Sequence, residues 1–503
     1  MNTIHRREFL RRALAVGAAG GMASLPAWKA FAQEAAGRKW NVLFIMSDQH
    51  NARALSCYGN TEMQTPNMDR LAREGVRFDR AFCQTGQCCP SRYTIWTGRY
   101  AHSHGCWRNG DVEPLEEVTV GEVFSQAGYA TATIGKHHMV HDPKEHGFAC
   151  VVDVPEYQAF VEKEGGGNMT TRGDWLKKDV TGLGRVGASA LDNDHSETGF
   201  FAAETIRFLD ENKDKPFCVW SSFYGPHTPI TPSRPWADQY KPEGLTLPPS
   251  LRAKNKNMPN AALHKQEAMK DVSDETHRRI LAYYYGYVSQ IDFNIGRILD
   301  ELDHLGLADH TVVVYTADHG EMMGEHGFWT KTIANYDSTI RVPMIIRVPG
   351  RFPAGKAVEE LVGSIDLMPT LCDLAGLPIP SKVQGSSLVL LVEGKATKWR
   401  DVIFSEIGVP DGSPAGYSVM ARTAEAKYVA TTSAGKETGE FFNLKKDPWE
   451  MNNEIDNPAY APVIADLKAR MDEWNKTTDR APIPPRTEKT TGKGGRRAQG
   501  EDE

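Results

Sequence analysis

Apolar, β-branched runs alternate with helix-like stretches from residue 40 to about residue 375. The runs are short and apolar without alternation: NVLFIM (41–46), YATATIG (129–135), PFCVWSSF (216–223), TVVVYTA (311–317) and VPMIIRVP (342–349). Such runs predict strands buried on both faces, which is how a largely parallel sheet covered by helices reads. Between them, residues 287–306 place Val288, Ile291, Ile295, Ile298, Leu299 and Leu302 at helical spacing. The fold class this predicts is α/β, with a large mixed, mostly parallel sheet sandwiched by helices. Residues 151–200 and 230–275 are polar with little periodicity, and read as long loops over the sheet that shape a substrate site. After about residue 395 the texture changes. VIFSEIG, YSVMART, AKYVATT and GEFFNL follow closely with turn residues between them, then a helical stretch near 460–476. They predict a small antiparallel-sheet subdomain.

The first residues are read apart from the fold. A basic start, a short apolar run from Ala13 to Leu25 and the small-residue site Ala30-Phe31-Ala32 have a signal-peptide layout. The pair Arg6-Arg7 with Phe9-Leu10 resembles a Tat signal. The expected division is a Tat-type leader over 1–32, a catalytic domain over 33–394, a small C-terminal α+β subdomain over 395–479 and a disordered polar tail over 480–503. Export would make the protein periplasmic or secreted, with the Tat machinery as a partner. Removing residues 1–32 takes the net charge from −7 to −11, because five basic residues and one acid leave. That acidic balance argues against a nucleic-acid partner. No apolar run is long enough for a stable membrane span. The eight cysteines have no disulfide-scaffold spacing, and their pairing is not readable from sequence.

Polar residues fall just after the apolar runs: Asp48-Gln49, Lys136 with His138, His227, and Asp318-His319. In open α/β sheets ligands bind outside the carboxyl ends of the strands, so four distant clusters can converge there. Taken singly, each has a plain structural reading as a cap, a turn or a solvated residue. Together, carboxylates and an amide oxygen suit a hard divalent cation, and lysines and histidines around it suit an oxyanion. One stretch fits none of this: GQCCPSRYTIWTGRY (86–100) sets Cys88 beside Cys89 before Pro-Ser-Arg. Neighbouring cysteines make neither a good disulfide nor a metal knuckle.

That stretch resembles the signature of the sulfatase family, within the alkaline-phosphatase-like superfamily: C-x-P-S-R, an aliphatic residue, then T-G. Here it reads Cys88-Cys89-Pro90-Ser91-Arg92, Ile95 and Thr97-Gly98, so Cys88 is the key residue and Cys89 the variable one. Blocks such as NVLFIMSDQ, TPNMDRLAREGVRFDRAF, GYATATIGKHH, PFCVWSSFYGPHTP and VVVYTADHGEMMGEHGFWTK are similar to the family's in order, over roughly 39–475. The resemblance implies that Cys88 is oxidised to Cα-formylglycine by a formylglycine-generating enzyme, a maturation partner. It implies a metal set of Asp48, Gln49, Asp318, His319 and the modified Cys88. A hydroxyl of the hydrated aldehyde would attack sulfur in line, and collapse would release sulfate. Arg92 and Lys136 would orient and neutralise the formylglycine oxygens, and His138 would assist collapse. His227 and Lys331 would contact sulfate and the leaving oxygen, one as general acid. Cys88 should begin a helix whose amides favour the anion.

Two features depart from the commoner family pattern. Gln49 stands where many members have a second Asp, and His319 where many have Asn. The combination resembles the phosphonate monoester hydrolase and choline-sulfatase side of the superfamily. Ca²⁺ is the first expectation for the cation, with Mn²⁺ or another divalent metal as alternatives. In GKHHMVH the G-K-x-H pattern selects His138 over His137, and His102 is assigned no step. The expected activity is hydrolysis of sulfate monoesters, on a sulfated small molecule or carbohydrate. The rival is a phosphonate monoester or phosphodiester hydrolase using the same nucleophile. A rival of another class is a non-catalytic binder of sulfated glycans with Cys88 unmodified. Polysaccharide, aryl and choline sulfates all remain open as substrates.

Overall fold

A computed structural model describes residues 39–483 apart from 165–171, 177–182 and 414. The expected leader over 1–32 and residues 484–503 of the expected tail lie outside the described residues. The central sheet is built from β1 (Asn41–Asp48), β2 (Val76–Phe78), β3 (Ala130–Gly135), β4 (Cys150–Val152), β5 (Phe217–Pro226), β6 (Thr311–Ala317), β7 (Met344–Arg347) and β8 (Lys356–Val358). Their order is β8-β2-β7-β6-β1-β5-β3-β4. The middle run β6-β1-β5-β3-β4 is parallel throughout, and β7 is antiparallel to both β6 and β2.

The apolar runs become strands because both of their faces find cover. In β1, Leu43 and Ile45 point into one core while Val42, Phe44 and Met46 point into the other. In β6, Val313 and Tyr315 divide from Val312 and Val314 in the same way. The covering helices are α1 (Pro66–Glu74), α2 (Cys88–Thr97), α3 (Val154–Lys163), α4 (Glu197–Glu211), α5 (Asn260–Met269), α6 (Asp274–His304) and α7 (Leu367–Ala375). The first core takes Ile280, Val288, Ile291, Ile295, Ile298 and Leu302 from α6. The second takes Tyr93 and Trp96 from α2 and Leu367, Met368 and Leu371 from α7. Each such side chain contributes about 1.5–3 kcal/mol when fully buried, so the three layers hold one another in place.

The predicted helix over 287–306 is the second half of α6. The observed helix starts at Asp274, after Ser273 accepts a hydrogen bond from the Thr276 amide. The stretches read as loops are partly helical: α3 and the first turn of α4 fall in the first, and α5 in the second. Helix α3 carries a full capping box, Asp153 with Glu156, and a proline in its first turn.

Four later strands pair antiparallel in sequence order: β9 (Ile403–Gly408), β10 (Tyr417–Arg422), β11 (Ala426–Ser433) and β12 (Lys436–Asn443). Helix α8 (Ala461–Thr477) lays Ile464, Leu467, Met471 and Trp474 on them, against Phe404, Val419, Tyr428 and Phe441. The fold is therefore mixed α/β, a mostly parallel sheet between helices with a separate antiparallel sheet. All eight cysteines are free thiols, and Cys89 Sγ lies 3.4 Å from Cys106 Sγ. No helix among the described residues is long and apolar enough to cross a membrane.

Candidate active site

The site forms because four neighbouring parallel strands end together. β6, β1, β5 and β3 are adjacent, and their carboxyl ends release Asp318-His319, Asp48-Gln49, His227 and Lys136. Neighbouring strands lie about 4.8 Å apart, so residues leaving adjacent ends stay within side-chain reach. The exit from β3 needs a glycine. Gly135 has φ +87°, and a Cβ there would sit 1.9 Å from the Ser222 carbonyl oxygen of β5.

Cys88 is the first residue of α2, a helix buried along its whole length. The next amide, Cys89 N–H, donates to Asn109 Oδ1 at 3.0 Å, and the helix ends at Gly98 in the left-handed region. Four groups surround the Cys88 sulfur. Lys331 Nζ lies at 3.2 Å, His319 Nε2 at 3.1 Å and Asp48 Oδ1 at 3.7 Å, and His138 hydrogen-bonds it. Burial pushes this thiol up, but Lys331, His319, Lys136 and His138 outweigh burial and bring it well below its ordinary value. The pocket is therefore made for negative charge at position 88.

Asp48, Asp318, His319 and Cys88 each offer one ligating atom, all within 4.8 Å of one another. His319 Nδ1 donates to the Gly320 carbonyl at 2.9 Å, which turns Nε2 toward Asp48 at 3.8 Å and Asp318 at 4.0 Å. Gln49 completes the arc. Its amide nitrogen donates to Glu321 Oε2 at 2.5 Å, while its Oε1 is buried without a hydrogen-bond partner among the described residues. A buried amide oxygen without a donor, beside two carboxylates and an imidazole nitrogen, is what a divalent cation satisfies. The donor set fits such an ion. Burial and Cys88 push the Asp48 carboxyl up, yet Lys136, His227 and Arg92 hold it well below its ordinary value. Burial pushes Asp318 up, and Arg92 offsets this only in part. Despite burial, Asp318 and Cys88 raise the His319 imidazole to about 9.

Arg92 is fully buried, and its fork ties the carboxylates together. Nε donates to Asp318 Oδ2 at 2.8 Å, Nη2 to Asp48 Oδ2 at 3.1 Å and Nη1 to Ser222 Oγ at 2.8 Å. Its charge acts on position 88 through this network. Lys136 Nζ lies 2.9 Å from Asp48 Oδ2. Lys331 Nζ also lies 3.2 Å from His227 Nε2, and His227 Nδ1 donates to the Thr228 carbonyl at 2.6 Å. All ten residues expected from the sequence thus lie in one connected cluster. His137 instead pairs with Asp153 at 3.0 Å, and His102 with Glu406 of β9 at 2.7 Å.

Sequence reasoning missed four supporting residues: Glu321, Ser222, Asn109 and Ser91, whose hydroxyl donates to the Asp318 carbonyl. Glu321 sits three residues beyond Asp318 in a block already singled out, but the burial that marks it is visible only in the fold. A cavity of about 370 Å³ opens beside Lys331 and Gln87. Ala261 and Lys265 of α5 form one wall, from the stretch expected to shape the pocket. Ile407, Val409 and Asp411, at and beyond the end of β9, form another. No described residue of 151–200 lines it.

An open α/β sheet with a cation-binding arc and basic residues at its strand ends defines a hydrolase-type site for a tetrahedral oxyanion. The Sulfatase family profile matches residues 40–377, and the profile "N-sulphoglucosamine sulphohydrolase, C-terminal" matches residues 324–477. The chain belongs to the sulfatase family. It is 32% identical over 456 residues to an arylsulfatase of Clostridium perfringens, covering 86% of this chain and 93% of that one. A phosphonate monoester hydrolase of Agrobacterium radiobacter superposes with TM-score 0.77 at 28% identity, covering 87% of this chain and 96% of that one. An enzyme solved with its substrate D-glucosamine-2-N,6-O-disulfate superposes with TM-score 0.73 at 25% identity, covering 87% and 98%.

Proposed function

We propose that this sulfuric ester hydrolase cleaves sulfate monoesters of carbohydrates at Cys88, matured to formylglycine. One observation carries the reading. The Cys88 sulfur, at the N-terminus of a buried helix, lies within hydrogen-bond range of Lys331 and His319 and beside the carboxylates of a cation site. Formylglycine would supply a hydrated aldehyde, a nucleophile with a second hydroxyl through which sulfate is released. A divalent cation held by Asp48, Gln49, Asp318, His319 and position 88 would supply Lewis-acid charge. Ca²⁺ is the first candidate, and the Gln and His donors also accept Mn²⁺.

The chain's own residues do the rest. Arg92 locks Asp48 and Asp318 in place, so the ligand carboxylates need no reorganisation. Lys136 and His138 face position 88 and hold its polar atoms in register. Lys331 stands between position 88 and His227. Because the Thr228 carbonyl fixes the proton on His227 Nδ1, Nε2 accepts from the Lys331 ammonium. Lys331 is then the acid that protonates the leaving oxygen, position 88 and Asp48 keep it charged, and His227 aims it.

The cavity beside Lys331 would receive the alcohol. Its lining carries Lys265, Arg108, Asp411 and Ser413 among apolar walls and no aromatic side chain among the described residues. Polar hydrogen-bonding groups suit a sugar hydroxyl face, whereas the ammonium of choline is best held by an aromatic cage. The relative solved with a disulfated glucosamine agrees with this choice.

The test has two parts. The mass of the tryptic peptide over residues 81–92, from protein made with a formylglycine-generating enzyme, should show one thiol replaced by an aldehyde at Cys88. Turnover of a pyranose sulfate, aryl sulfate, choline sulfate and phosphonate monoester should rank the sugar sulfate first. Only unmodified cysteine in normally exported protein would overturn the mechanism. A phosphonate preference would move the chain toward the activity named for its Agrobacterium structural relative.

Export by a Tat-type signal is part of the same reading and rests on residues 1–32 alone. Those residues fused to a folded reporter should send it to the periplasm. Replacing Arg6-Arg7 by Lys-Lys should retain it inside.

A further inference from the structure

A second cluster of metal-ligating side chains lies outside the catalytic arc. Glu113, His141 and His146 bring one ligating atom each within 4.8 Å of one another. Glu113 Oε1 lies 3.2 Å from His146 Nε2 and 3.7 Å from His141 Nδ1. A zinc ion with nitrogen and oxygen ligands at about 2.0–2.1 Å in tetrahedral geometry sets its ligands about 3.3 Å apart. The two distances bracket that value.

The hydrogen bonding points the same way. Glu113 Oε2 accepts the Val140 amide at 3.0 Å, and Oε1 accepts the His141 amide at 2.9 Å. Those bonds aim the carboxylate while leaving lone pairs on the side facing the imidazoles. His141 Nδ1 is buried and makes no hydrogen bond among the described residues, although it faces the carboxylate. A buried ring nitrogen in that position calls for an explanation, and an ion supplies one. The His146 ring is held edge-on by Tyr93 at 5.7 Å and Trp96 at 5.9 Å, both on α2.

We propose that Glu113, His141 and His146 form a zinc site separate from the catalytic cation. Two neutral imidazoles and one carboxylate are a nitrogen-rich set that suits Zn²⁺ rather than Ca²⁺. On binding, the proton that His146 Nε2 shares with Glu113 moves through solvent to Nδ1, so the ring stays neutral, and Nε2 and the Glu113 oxygen turn their lone pairs to the ion. The fourth position is left to water. The ion would tie the loop before residue 118 to the segment 136–147, which carries Lys136 and His138.

The test uses the full chain with its catalytic site saturated by Ca²⁺. Zinc is titrated against a chromophoric chelator, and the metal is then counted by mass spectrometry. One tightly held zinc per chain is expected, unchanged in Cys88→Ala and weakened at least tenfold in His141→Ala. His141 is partly exposed, so its alanine variant should match the zinc-free wild type in melting temperature. Glu113→Gln, which keeps an acceptor for the amides, serves as the second variant and should also lose the ion. Zinc should raise the melting temperature and slow hydrogen exchange over 137–147 in the wild type only. No zinc held beside Ca²⁺ would overturn the proposal. So would zinc retained equally by both site variants, or zinc lost in Cys88→Ala.

Discussion

Lys331 and Glu321 show how differently two site residues announce themselves. Lys331 touches the Cys88 sulfur and His227, and its expected role concerns the leaving oxygen. Lys331→Ala should lower kcat by about 10²–10⁴ on a sugar sulfate. The loss should be much smaller on nitrophenyl sulfate, whose leaving group needs no proton. Equal losses on the two substrates would remove Lys331 from the acid role. Glu321 touches no reacting atom. It holds the Gln49 amide nitrogen and accepts the Met323 and Thr330 amides, so it aims Gln49 Oε1 into the cation arc. Glu321→Ala should weaken metal binding about 10- to 100-fold, with activity recovered by excess cation. Activity that excess cation does not restore would point to a different defect. The sequence displayed the residues at strand ends because apolar run followed by polar group is a local pattern. Glu321, Ser222 and Asn109 were not legible, because their partners lie 272, 130 and 20 residues away and only the fold brings them together.

The elements were legible where hydrophobic period and length agreed. The five apolar runs became strands, the four late runs became an antiparallel sheet, and the C-terminal stretch became α8. Helices α3 and α5 were hidden because their burial is slight: only Tyr157 and Val161 are buried in α3, and Ala262 and Met269 in α5. A short helix with two core contacts leaves almost no period to read. The capping box of α3 was the available signal. Geometry between elements was less legible still, and Gly135 is the sharpest case. Nothing in GYATATIGK distinguishes a glycine that ends a strand from one that β5 presses against. Gly135→Ala would put a methyl 1.9 Å from the Ser222 carbonyl at a positive φ, and backbone cannot yield as a side-chain tip does. The variant should lower the melting temperature by ten degrees or more, or fail to accumulate as soluble protein. A stable variant that has lost only activity would show that β3 can shift and that Lys136 alone is displaced.

At the scale of the molecule, the antiparallel sheet is joined to the catalytic body by a buried network of charge. Asp337, in the segment that follows Lys331, pairs with Arg422 of β10 at 2.9 Å and with Lys427 of β11 at 2.6 Å. Lys427 also meets Glu450 at 2.5 Å and the Asn335 carbonyl at 3.0 Å. Tyr336 donates to Glu440 of β12 at 3.2 Å, and the other Glu440 oxygen is buried without a hydrogen-bond partner among the described residues. The network therefore fixes the segment that carries Lys331. Burial pushes Glu440 up to about 8 and Glu450 up to about 7, whereas Arg422 and Lys427 overcome burial and hold Asp337 well below its ordinary value. The sign follows from proton counting. The folded state keeps protons on Glu440 and Glu450 that the unfolded chain gives up near the ordinary glutamate value of 4.5. Their contribution is full below that value and is lost as pH rises through 7 to 8. Asp337 acts in the opposite sense, but its contribution is already complete above its ordinary value of 3.8 and is constant across this window. Stability should therefore fall between pH 5 and pH 8 through this cluster. Glu440→Gln keeps an acceptor for Tyr336 and removes the titration, so denaturant unfolding should show a flatter slope and a more stable protein at pH 8. If wild type and Glu440→Gln decline in parallel, another group sets the slope. Activity provides a second reading of the same network. A loosened 330–340 segment moves Lys331, so the wild type should lose kcat on sugar sulfates above pH 8 more steeply than Glu440→Gln.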